Sequence, residues 1–82
     1  MKITQEQVRL KNDIVDTYIK YAAAYSKFKK NKKTKPAIAV KYLKAADPLA
    51  AKLKILKTKA TTLYGEYFTN RCLEIGKTLW GQ

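Results

Sequence analysis

Leu10, Ile14, Tyr18, Tyr21, Tyr25 and Phe28 recur at intervals of 4, 4, 3, 4 and 3 residues, the period that lines up side chains along one stripe of an α-helix. Val8, Val15, Ile19 and Ala22 widen the stripe to one side, while Arg9, Asp13, Asp16, Lys20 and Lys27 gather opposite it as a solvated face does. The start of this helix is well marked. Thr4 is placed as N-cap, Gln7 follows three residues later to close a capping box, and Ile3 is placed to staple against Val8. The pattern predicts a helix over about 5–30, roughly 39 Å long at 1.5 Å per residue.

Six lysines in the nine residues from Lys27 to Lys35 then lead to Pro36, which cannot continue a helix and suits the first turn of a new one. This segment, 30–35, reads as the connecting loop. A short second helix is predicted over 36–46, with Ile38, Tyr42 and Ala45 inward, because Asp47-Pro48 disfavours helical geometry and marks a fresh start. From there Leu49, Leu53, Leu56, Ala60, Leu63 and Tyr67 step 4, 3, 4, 3 and 4, a heptad seam suited to packing against another helix or another copy. Two readings compete at Gly65: a cap that divides the last helix, or a glycine tolerated inside it at about 1 kcal/mol. The stripe resumes in Phe68, Cys72, Ile75 and Leu79, which favours one long or kinked helix over 48–80.

No strand pattern is present, so the expected fold is all-α. It is a single domain over 1–82, built as a small antiparallel hairpin or bundle of three helices, or four if Gly65 divides the last. The first helix should lie against the last, with the short second helix closing one end. With 46% hydrophobic residues and nine aromatics, the composition is that of a folded protein. A chain of 82 residues lies near the size where one core contributes only a few kcal/mol of net stability, so burial between copies is expected and a homo-oligomer follows.

Catalytic chemistry finds little to work with. General acid–base work needs a positioned histidine or paired carboxylates, and the chain has no histidine and six scattered acids. Asp13 and Asp16 are three apart on the polar face, where they read as surface groups balancing Arg9 and Lys20. Cys72, the only cysteine, excludes an internal disulfide and stands between Phe68 and Ile75 as a core thiol. Usual zinc patterns and glycine-rich phosphate loops cannot be written, so no catalytic residue, cofactor or metal is expected. The polar N-terminal residues and the lack of a long apolar run point to a soluble, unexported protein of the cytoplasm.

Charge is the substantive signal. Between Lys20 and Lys59 thirteen lysines face one acid, Asp47, which accounts for the whole net charge of +12. Lys27, Lys29, Lys30, Lys32, Lys33 and Lys35 cluster around the loop, and Lys41, Lys44, Lys52, Lys54, Lys57 and Lys59 follow. A local positive field of this kind recruits polyanions, and nucleic acid is the expected partner. Sixteen lysines against two arginines favour point-charge attraction to phosphate over bidentate reading of bases, so little sequence preference is expected. The spacing of Tyr18, Tyr21 and Tyr25 assigns them to the core; Phe28 and Tyr42, which adjoin the lysines, are the better candidates for stacking on bases. A helix-turn-helix from Pro36 onward is disfavoured by its short junction without glycine. Two other partner classes fit the same features: an acidic protein, met by an inhibitor, immunity-type or assembly module, and an anionic membrane surface.

Overall fold

The computed structural model describes residues 4–81, and within them the chain is all-helical. Helix α1 spans Gln5–Asn31, α2 spans Pro36–Tyr64 and α3 spans Glu66–Trp80, all packed together. The capping box at the head of α1 is formed: the Gln7 backbone N–H donates to Thr4 Oγ1 at 3.2 Å, and the Thr4 N–H donates to Gln7 Oε1 at 2.8 Å. The staple expected from Ile3 to Val8 rests on Ile3, which lies outside the described residues. Asn31 closes α1 by donating its side-chain amide to the Lys27 carbonyl at 2.8 Å, and Pro36 opens α2 at its first turn.

Two helix boundaries differ from those the sequence pattern predicts. No break occurs at Asp47-Pro48, and α2 runs through it as one helix of 29 residues. Ala39, Ala46, Leu53 and Ala60 are buried at strict seven-residue spacing, so the inward stripe crosses Pro48 without losing phase. Pro48 and Lys44, whose carbonyl the proline leaves without a helical partner, are both exposed residues, so the lost bond falls on the solvent side of the helix. The predicted division into helices over 36–46 and 48–80 is therefore replaced by a division at Gly65.

Gly65 has φ +92° and ψ 167°, a backbone region that only glycine visits cheaply. Its N–H donates to the Thr61 carbonyl at 2.9 Å as α2 ends, and the next helix begins at Glu66. Thr61 Oγ1 and Thr69 Oγ1 then bond across the corner at 2.8 Å, satisfying a Thr69 hydroxyl that is otherwise buried. The leucine seam leaves the core before this restart. Leu53 and Ala60 are buried and Leu49 and Leu56 are half-buried, but Leu63 and Tyr67 stand 56% and 79% exposed. The heptad seam thus leaves the core after Ala60 instead of continuing to Tyr67.

Leu10, Ile14, Leu53, Ala60 and Cys72 form the central cluster, drawn from all three helices, with Tyr18, Leu56, Tyr64, Phe68 and Leu73 packed around it. Leu10 shares a groove with Leu56 and Tyr64, Tyr18 and Tyr21 meet Leu53 and Leu73, and Lys27 meets Tyr42. Gly76 of α3 presses on the Tyr18 ring, where a Cβ would lie 3.0 Å from its Cδ1. α3 has only 15 residues against 27 and 29 in the other two, so it covers α1 no further than Trp80 reaches, beside Tyr21, Tyr25 and Lys29. Past that level two helices continue alone, within a molecule 50 Å long and 24 by 18 Å across.

Candidate nucleic-acid interface

The two-helix extension carries the last turns of α1, the loop and the first turns of α2, which is where the lysines are densest. From Lys27 to Lys44 there are eight lysines and no acid. Each of these eight is exposed. Among the described residues the ion pairs are Lys20–Asp16 at 3.1 Å and Arg71–Glu74 at 3.4 Å, and none of the eight takes part in either. Two of them lie over aromatic faces: the Lys27 Nζ is 5.6 Å from the Tyr42 ring centroid, and the Lys29 Nζ is 5.1 Å from that of Tyr25.

The twelve lysines that the sequence groups together do not form one surface. Lys27, Lys29, Lys30, Lys32, Lys33, Lys35, Lys41 and Lys44 share the extension, but Lys52, Lys54, Lys57 and Lys59 lie on the portion of α2 beside the core. Fifteen residues of helix separate Lys44 from Lys59, about 22 Å, which is more than twice the screening length in physiological salt. They also diverge around the helix. Lys54 and Lys57 border the flank near Tyr18, Tyr21 and Leu73, whereas Lys59 lines a groove on the other side with Glu6, Arg9 and Asp13. The twelve lysines therefore divide into a group near the loop, 27–44, and a group along the core, 52–59.

Aromatic side chains extend from this pole along α1. Tyr18, Tyr21, Tyr25 and Phe28, assigned to the core by their spacing, are only half-buried, although Gly76 of α3 meets Tyr18 and Trp80 lies beside Tyr21 and Tyr25. The Tyr21 and Tyr25 rings stack at 5.8 Å with 17° between planes, and Tyr25 meets Phe28 at 5.7 Å and 39°. Trp80, 41% exposed, faces this row across a groove of about 290 Å³ bordered by Lys29. Sequence reasoning passed over Trp80, because a helix continuous through Gly65 gives it a different phase. The usable signal was Gly65 itself, the first glycine in the chain.

Elsewhere the chemistry is quiet. Asp16 is engaged with Lys20, and Asp13 is exposed beside it, as surface groups are. Burial pushes the Cys72 thiol up from its ordinary range, and the nearby Lys11 ammonium opposes this only in part, so the thiolate is disfavoured. Among the described residues no group of three or more His, Cys, Asp or Glu is gathered so as to hold a metal ion, and no helix is long and apolar enough to cross a membrane. Comparison with protein-family models, with curated proteins and with solved structures finds no match to this chain.

Proposed function

We propose that this is a small, non-enzymatic helical protein of the cytoplasm that binds nucleic acid with little sequence preference, through contacts between lysine ammonium groups and phosphates. The carrying observation is the two-helix extension, with eight exposed lysines and no acid, where the rest of the chain sets six acids against ten bases. Paired contacts at Lys27–Tyr42, Tyr21–Leu53 and Leu10–Tyr64 support an up-down-up order in which α2 runs antiparallel to α1 and α3. That order sends the loop lysines to one extreme of the molecule. Lysine in place of arginine supplies charge without a fork to fit guanine, so backbone attraction is the mode.

A salt titration against unrelated DNA and RNA sequences tests this. If six phosphates are neutralised, log K against log salt falls with a slope of about −5 on duplex DNA and about −4 on single strands. Replacing Lys29, Lys30, Lys32 and Lys33 together by glutamine weakens binding on every sequence alike and reduces the duplex slope by about 3 to 4. The absence of any complex at low salt defeats the proposal.

A second reading has its own observation. Ile55, Leu63 and Tyr67 are 68%, 56% and 79% exposed, more apolar surface than a solitary hairpin needs to show. These support a homo-oligomer or a protein-interaction module docking on an acidic partner. Sedimentation at micromolar concentration tests the first, a 9.4 kDa species counting against it; a partner retained after nuclease treatment supports the second.

A further inference from the structure

Four aromatic rings on one helix are left half-covered at the point where the cationic pole begins, and a fifth faces them from another helix. Tyr18, Tyr21, Tyr25 and Phe28 climb α1 toward the lysines, and Trp80 stands across the groove from Tyr21 and Tyr25. The groove, about 290 Å³, is lined by Tyr18, Tyr21, Tyr25 and Trp80 and by Lys29, whose ammonium is 5.1 Å from the Tyr25 ring. Among the described residues no acid lies between Asp16 and Asp47, so this stretch of α1 and the loop beyond it repels no phosphate.

We infer that this groove is a stacking site for the unpaired bases of a single-stranded nucleic acid, with the strand's phosphates running from Lys29 onto the loop lysines. The inference rests on the nucleic-acid reading above and specifies the form of the ligand. A duplex keeps its base faces stacked on one another and offers phosphates and groove edges, so it has nothing to insert between Tyr25 and Trp80. An unpaired base has a free face, and aromatic side chains beside a positive groove are the usual means of holding one without regard to sequence. An acidic peptide matches the charge but supplies no flat face for the rings. Tyr25 is stacked on Tyr21 and carries the Lys29 ammonium over its ring, so the aromatic surface left for a base is the exposed part of Trp80, with Lys29 beside it for a flanking phosphate.

Trp80 is the sole tryptophan, so its emission reports on the groove directly. The experiment titrates the whole chain, at one low salt concentration, with an unstructured DNA oligonucleotide, a duplex of equal phosphate number and polyglutamate of equal charge. The expected result is quenching of Trp80 by the single strand alone, with tighter binding of that strand than of the other two. Tyr25→Leu, which keeps apolar packing at a half-buried position, is expected to weaken single-strand binding about tenfold and to leave duplex binding unchanged; Trp80→Leu should do the same, with helicity checked by circular dichroism. Equal binding of single strand and duplex, with Trp80 emission unmoved, overturns the stacking site while leaving phosphate binding intact. Polyglutamate that quenches Trp80 as well as the oligonucleotide does also overturns it, in favour of an acidic protein. No complex with any of the three removes the nucleic-acid reading and this inference with it.

Discussion

The core end and the lysine end of this molecule are built from the same two long helices, yet they are held together differently. Where α3 lies against α1 and α2, Leu10, Ile14, Leu53 and Cys72 are enclosed from three sides, and Ile14 and Cys72 retain almost no exposure. Past Trp80 the buried positions of α2 are alanines, Ala39 and Ala46, which let two helices approach closely but remove little apolar area from water. Large side chains there, Phe28 and Tyr42, are only half-buried. Charge divides along the same line. Five of the six acids flank the core, while the extension has eight lysines from Lys27 to Lys44 and none to offset them. Self-repulsion and thin packing both make the extension the weaker part.

The largest effect that should separate the two regions comes from truncating each. Ile14→Ala empties a fully enclosed site and is expected to cost about 3 to 4 kcal/mol, enough to threaten the fold of a chain this size. Phe28→Ala, at a half-buried site, should cost about 1 to 2 kcal/mol. Urea unfolding of both variants measures the difference, and equal losses would erase the distinction between the ends.

The two helix breakers sharpen it further. Gly65→Ala meets no neighbour within 4 Å, so its cost is backbone strain at φ +92°, about 1 to 3 kcal/mol. Pro48→Ala should move stability the other way, by about 1 kcal/mol, since an exposed helix interior regains a hydrogen bond to the Lys44 carbonyl and loses some of that gain to a freer unfolded chain. Thermal melts distinguish the signs directly.

Cys72 gives the smallest effect. Its thiol is held above its ordinary pKa mainly by burial, so the folded state retains the proton over a range where the unfolded chain has lost it. Stability from this group is present below the unfolded pKa and declines as pH rises through the folded one, a modest alkaline loss absent in Cys72→Ala. Alkylation at pH 8 should accordingly be slow in the native protein and fast in urea. Rapid native alkylation would show that the core end opens as readily as the extension.

Helical class, the start of α1 and the position of the loop were readable in the chain, because caps, a 3.6-residue period and Pro36 act locally over a few residues. Even the true inward stripe of α2 was present as Ala39, Ala46, Leu53 and Ala60, but alanine carries so weak a hydrophobic signal that the leucines beside it drew the eye to another seam. Clustering of Lys27 to Lys35 was likewise plain, since six charges within nine residues share a location in any fold. What only tertiary packing decided was the balance of opposed preferences. Burial on both sides carried α2 through Pro48, and the break at Gly65 let α3 pack on α1 and brought Trp80 to the half-buried tyrosine row. Propensity is a sum over neighbours in sequence, whereas helix continuity and side-chain exposure depend on which surfaces meet across tens of residues, and that is settled only when the three helices pack.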